Sequence, residues 1–219
     1  MLTKSSFAAV FFDLDGTLID SLEDLAGSCN SVLEANGFAP HPVDAYRFFV
    51  GDGVENLVRR AAAREISEST LTRLLAGMRK EYTARWARVT KPYSGIVHML
   101  TRLEKARIPL AVLSNKPHDM TVLTVRHFFP DTPFAAIQGS PKGGKAKPDP
   151  SLALALAAQL NLAPERILFL GDTRTDMMTG TAAGMCPVGV LWGFRPKEEL
   201  LEHGAEILLE SPDQLFDYL

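Results

Sequence analysis

Long apolar runs are missing from this sequence: no stretch approaches the roughly 20 residues that a membrane-spanning helix needs, so no membrane partner is expected. Cysteine is scarce. The two present, Cys29 and Cys186, lack metal-type spacing. That argues against a disulfide framework and favours a reducing compartment, hence a cytoplasmic location. Charge of one sign is missing too. The formal net charge is −3, with no long run of either sign, which argues against nucleic-acid binding. Residues Met1 to Ser6 are too few and too polar for a signal peptide. The five histidines, His41, His98, His118, His127 and His203, show neither metal nor triad spacing. No repeat, low-complexity tract or sustained heptad occurs, so the oligomeric state cannot be read.

What is present is an ample core. The chain has 219 residues, 46% of them hydrophobic, enough for one sizeable domain and a smaller insert. One stretch organises the rest: Val10-Phe11-Phe12-Asp13-Leu14-Asp15-Gly16-Thr17-Leu18-Ile19-Asp20-Ser21. Phe7 to Phe12 shows no polar alternation, as in a strand buried on both faces. In extended backbone residues two apart share a side, so Asp13 and Asp15 can face one pocket. Like charges that close raise one pKa unless a cation separates them. Read alone, Asp15-Gly16 also suits an ordinary turn.

After Asp20 a helix is expected, with Ser21 as cap and Glu23 and Asp24 in the first turn. Asn36-Gly37 ends it in a left-handed cap. From Pro40 to about Thr90 the pattern is helical: residues 43–48, 54–64 and 68–88, with Phe48-Phe49-Val50 ambiguous as a short strand. Val50-Gly51-Asp52-Gly53 reads at least as well as a helix-capping turn as it does as a ligand loop. Beyond Lys91 helices alternate with apolar strands, the latter near Ile108 to Leu113, Phe134 to Ile137, Ile167 to Leu170, Cys186 to Leu191 and Ile207 to Leu209. That rhythm implies a parallel sheet covered on both faces, which the opening strand joins. The helical stretch is then an insertion after the first strand.

In an open parallel sheet ligands bind beyond the carboxyl ends of the strands. Asp13 and Asp15 follow the first strand. Ser114-Asn115-Lys116 follow the strand near Leu113, and Gly171-Asp172 to Asp176 follow Leu170. A loop between them carries Lys147-Pro148-Asp149-Pro150. Each group has a structural alternative: a helix cap for Ser114, a solvated loop lysine for Lys147, turn and helix-start acids for Asp172 and Asp176. Their joint placement on one rim suits phosphoryl transfer. A carboxylate attacking a phosphate dianion needs positive charge, from Mg²⁺ held by carboxylates and from a lysine. Asp13 would form an aspartyl-phosphate, and Asp15 would move protons to the leaving alcohol and from water.

These four motifs together resemble the haloacid-dehalogenase-like hydrolase superfamily. Phe12-Asp13-Leu14-Asp15-Gly16-Thr17-Leu18, Leu113-Ser114-Asn115-Lys116, Lys147-Pro148-Asp149-Pro150 and Gly171-Asp172 to Asp176 are similar to its four motifs, in order and across nearly the whole chain. The resemblance implies an α/β fold, a Rossmann-like doubly wound parallel sheet with an inserted helical cap domain: residues 1–19 and 91–219 as core, 20–90 as cap. It implies Asp13 as nucleophile, Asp15 as general acid/base, and Ser114, Asn115 and Lys147 as binders of the phosphorylated small-molecule substrate. Mg²⁺ would sit on Asp13, the Asp15 carbonyl and Asp172, with Asp176 in support. Family dehalogenases lack the second acid, so its presence points to a phosphatase. Asp20-Ser21, Val50-Gly51-Asp52-Gly53, Lys91-Pro92-Tyr93-Ser94-Gly95, Ser114-Asn115-Lys116-Pro117 and Trp192-Gly193-Phe194 resemble bacterial phosphoglycolate phosphatases, which implies 2-phosphoglycolate as substrate. Leu22-Glu23 and Phe194 depart from that group's usual Ala-Pro and Tyr. The alternatives are a pyrophosphatase, another sugar-phosphate phosphatase, a phosphomutase, or a non-catalytic regulator that binds phosphate esters. Arg174 and Arg195 have two readings each, contact with a substrate carboxylate or a solvated surface role.

Overall fold

Apolar segments without alternation demand cover on both faces, and that demand shapes the computed structural model, which describes residues 7–219. The reading of Met1 to Ser6 lies outside the described residues. The chain opens on β1 (Ala9–Phe12) and turns into a short strand, β2 (Ile19–Asp20). Four helices follow, α1 (Leu22–Ala35), α2 (Tyr46–Phe49), α3 (Val54–Ala61) and α4 (Glu68–Arg85), and then β3 (Lys91–Pro92). Next come α5 (Ile96–Lys105), β4 (Leu110–Pro117), α6 (His118–Phe128), β5 (Ala136–Ser140), α7 (Ser151–Gln159) and β6 (Ile167–Gly171). The chain finishes with α8 (Arg174–Ala183), β7 (Cys186–Val190), α9 (Lys197–Glu202), β8 (Ile207–Leu209) and a 3-10 segment, Pro212–Asp217.

Two compact units result. One comprises the chain up to Leu18 together with Pro92–Leu219; the other is Ile19–Lys91. In the first, six strands pair in parallel in the order β5-β4-β1-β6-β7-β8. β1 lies at the centre, with Phe12 in register beside both Val112 and Leu170. The order reverses there, and in such sheets that is where a crevice opens beyond the strand ends. Phe11, Leu113 and Phe169 pack on one face against Ala153, Leu156 and Ala157 of α7. Val10, Phe12, Val112, Leu168 and Leu170 are equally buried on the other face. The absence of alternation in the sequence thus has its expected cause.

Several local expectations shift. β4 continues to Pro117, past the expected end at Leu113, because it keeps pairing with β5 after an irregularity between Leu113 and Pro117. Ser114, Asn115 and Lys116 therefore stand on extended backbone. Phe48 and Phe49 belong to helix α2, not to a strand: Tyr46 and Phe49, one turn apart, pack edge to face with ring centroids 5.2 Å apart. α8 begins at Arg174 because Thr173 and Asp176 form a reciprocal capping box. Ser21 occupies the N-cap of α1 without a capping side-chain bond.

The second unit packs α1 along α4, with α3 against α2 and α4. The Val50 to Gly53 turn leads into α3, and the Arg60 guanidinium donates to the Phe49 carbonyl and pairs with Asp52. β2 pairs with β3, bringing the two ends of this unit together. Nearby, the buried Asp24 carboxylate accepts from the Val89 N–H (3.1 Å), the Thr90 N–H (2.9 Å) and the Thr90 hydroxyl (2.6 Å). Three donors on one carboxylate oxygen tie α1 to the segment that closes the unit. Asp24→Ala strands those donors, so urea denaturation should show a loss of about 3 kcal/mol. A loss below about 0.5 kcal/mol would mean that the tie carries no stability.

Candidate active site

Asp13 is the first residue beyond β1, and its N–H donates to the Leu170 carbonyl (2.9 Å), so the β1–β6 pairing itself places it. It is 6% exposed. Lys147, brought in by the loop after β5, puts Nζ 2.8 Å from Asp13 Oδ1 and 2.6 Å from Asp176 Oδ1. The lysine is positioned through its backbone. Its N–H donates to Asn115 Oδ1 (2.8 Å), and Asn115 Nδ2 donates back to its carbonyl (3.0 Å). Both ends of the Asn115 amide, expected on substrate, are thus engaged with Lys147.

Asp172 follows β6 and is fully buried. It accepts from the Thr17 hydroxyl (3.0 Å) and the Phe194 N–H (2.9 Å). The chain crowds it on two sides. A Cβ at Gly16, whose φ is +91°, would fall 2.2 Å from Asp172 Oδ2, and one at Gly193 would fall 2.2 Å from its Cβ. Only glycine allows that approach. Asp176 accepts from the Thr173 N–H (3.0 Å) and hydroxyl (2.7 Å). Asp13, Asp172 and Asp176 each offer an oxygen within 4.8 Å of the others.

Asp15 turns to a different partner. Both its carboxylate oxygens lie 2.9 Å from Lys116 Nζ, with side-chain exposures of 12% and 4%. Ser114 sits two residues before Lys116 on β4, and its hydroxyl accepts from the Lys116 N–H (3.3 Å). The structure thus joins Asp13, Asp172, Asp176, Lys147 and Asn115 in one linked group and adds the Asp15–Lys116 pair. Sequence reasoning missed Lys116 as a site residue, although its two-residue spacing from Ser114 was a usable signal. It also missed Thr17 and the Phe194 N–H, which bind through one hydroxyl and one backbone group and leave no pattern. Arg195 is buried at 7% exposure and paired with Glu199 (3.1 Å), whereas Arg174 is exposed.

Three carboxylates around one ammonium leave a formal excess of two negative charges in a buried site. Burial pushes the Asp13 carboxyl up to about 6, against the pull of Lys147 and with Asp176 and Asp15 adding to the rise. Asp172 is raised well above the carboxylate range by burial, then by Asp176 and Asp13. Burial alone would lower Lys147, but Asp13 and Asp176 outweigh it and hold the ammonium above its usual value. Asp13 Oδ1 is buried and accepts no hydrogen bond of normal geometry among the described residues, despite the nearby ammonium. A hard divalent cation fits this all-oxygen donor set and its charge.

The haloacid dehalogenase-like hydrolase family model matches residues 10–190. A phosphoglycolate phosphatase of Pseudomonas putida is 33% identical over 214 residues, covering 96% of this chain and 76% of the relative. An N-acetylmuramic acid 6-phosphate phosphatase of Pseudomonas aeruginosa is 28% identical, covering 100% and 97%. A haloacid dehalogenase-like hydrolase structure from Streptococcus pneumoniae, 23% identical, shares the fold with a TM-score of 0.87 over 98% of this chain and 99% of that one.

The raised carboxyls set a pH dependence. A carboxyl with a raised folded pKa keeps its proton on folding, so between 3.8 and about 6 Asp13 makes the metal-free protein less stable as pH rises. A divalent cation competes with that proton. The gain in Tm from a saturating divalent cation should be small at about pH 5 and grow toward about pH 7.5. A gain independent of pH would contradict this charge balance.

Proposed function

Because this chain belongs to the haloacid dehalogenase-like hydrolase family, we propose that it is a Mg²⁺-dependent phosphatase that hydrolyses 2-phosphoglycolate to glycolate and phosphate. The observation that carries the reading is the pair of separately partnered acids: Asp13 faces Lys147 and the carboxylate cluster, while Asp15 faces Lys116. Two carboxylates with different surroundings suit two different tasks. The substrate rests on the phosphoglycolate phosphatase relatives; the N-acetylmuramic acid 6-phosphate phosphatase makes that sugar phosphate the first comparison in a substrate panel.

In this reading an Asp13 oxygen attacks phosphorus and the bond to the leaving oxygen breaks. Asp15 gives that oxygen its proton, and glycolate leaves. Asp15 then takes a proton from the water that attacks the phosphorus of the aspartyl-phosphate, the Asp13–phosphorus bond breaks, and phosphate departs. Lys147 and the Ser114 hydroxyl hold the phosphoryl oxygens. Asn115 acts as a positioning residue through Lys147. Asp13, the Asp15 carbonyl and Asp172 would hold Mg²⁺, with Asp176 in support. When bound, Mg²⁺ supplies positive charge to the phosphoryl group. Residues 1–19 and 91–219 as catalytic core, residues 20–90 as cap, and a cytoplasmic location belong to the same proposal.

Asp13→Asn should lower kcat by more than about 10⁴-fold, and chelation should abolish turnover. Asp15→Asn should cost about 10²–10⁴-fold on 2-phosphoglycolate. It should cost far less on p-nitrophenyl phosphate, whose leaving group needs no proton. Near-normal turnover by Asp13→Asn would refute its role as nucleophile. Equal losses on both esters for Asp15→Asn would refute its role as proton donor.

A further inference from the structure

Lys116 is a buried cation to which the reaction above gives no part. It stands near the end of β4, in the irregular stretch between Leu113 and Pro117. Neighbouring side chains there take different partners: Asn115 reaches the Lys147 backbone, and Lys116 reaches Asp15. The ammonium is buried and lies against the Asp15 carboxylate. Lys147 is already committed between Asp13 and Asp176, at the phosphoryl end. Arg195 is held by Glu199. Lys116 is the cation set against the acid that serves the leaving group.

We propose that Lys116 binds an anionic group on the leaving side of the substrate, a carboxylate on the carbon that bears the ester oxygen. The inference rests on the phosphatase reading and narrows its substrate class to phosphate esters of 2-hydroxy acids. Asp15 must come within hydrogen-bond reach of the ester oxygen to give it a proton. Nζ lies 2.9 Å from both Asp15 oxygens, so whichever oxygen serves the ester, the ammonium is beside it. A carboxylate one carbon beyond the ester oxygen falls next to that ammonium. A neutral alkyl group there offers it nothing, and a charge further along the chain lies elsewhere. An ammonium is a compact charge with three donors, suited to serving two carboxylates at once.

Paired esters test this: 2-phosphoglycolate against ethyl phosphate, and 2-phospholactate against isopropyl phosphate. Each is assayed with the wild type, Lys116→Met and Lys116→Arg in the same Mg²⁺ buffer. The wild type should prefer each acid to its neutral twin in kcat/KM. In Lys116→Met that preference should shrink by about 30-fold, mostly through KM, with partial rescue in Lys116→Arg. Equal losses on both members of a pair would assign Lys116 to Asp15 alone and overturn the inference. A wild type that prefers neither twin would overturn it without any variant having to fold. If the wild type hydrolyses no ester at all, the phosphatase reading fails and takes this inference with it.

Discussion

Buried negative charge at the end of an apolar sheet is the constraint on which the rest depends. Asp13 and Asp172 sit where β1 and β6 run out of paired backbone, Asp176 in the first turn of α8, and Lys147 balances only part of their charge. Leaving such charge unbalanced in a dry interior costs several kcal/mol. The local structure answers with aimed donors: a hydroxyl and an N–H on Asp172, another such pair on Asp176. Glycines at positions 16 and 193 let the surrounding chain close on Asp172, where any larger residue would clash. The low polarity that makes the cluster costly also strengthens each of its interactions.

The cluster divides its labour by partner. Lys147 is fixed by the Asn115 amide through two backbone bonds, so its ammonium arrives at Asp13 and Asp176 already oriented. Such preorganisation suits stabilising a developing phosphoryl charge, because nothing need reorganise during reaction. Asp15 pairs with Lys116 instead of Lys147. Two acids two residues apart in sequence therefore occupy different electrostatic surroundings, which suits the separate roles proposed for them.

The sheet was legible because burial on both faces leaves a plain mark. Phe7 to Phe12 and Ile167 to Leu170 have no alternation, and they supply β1 and β6, strands covered on both sides. The grouping of the acids with Lys147 was legible only through joint placement: acids just beyond strands and a lysine in a loop that could reach the same rim. What stayed hidden was settled by pairing rather than composition. β4 carries on through Ser114, Asn115 and Lys116 because β5 keeps its company, and only that extension reveals Lys116 as facing Asp15. Thr17 and the Phe194 N–H reach Asp172 across large sequence separations, and no local rule sees them. Arg195 reads in sequence more as a solvated residue than as a substrate contact, yet it is buried and paired with Glu199. Phe48-Phe49-Val50 has the composition of a strand, but aromatic contacts a turn apart make its first two residues helical.

The proposed chemistry turns on one event: the Asp13 carboxylate attacks phosphorus and is phosphorylated during turnover. Acid quenching within a single turnover of radiolabelled phosphate ester, followed by peptide mapping, tests it most directly. Label is expected on the peptide that contains Asp13, appearing and decaying at rates that sustain turnover. Turnover without labelled protein, or label confined to another residue, would contradict it.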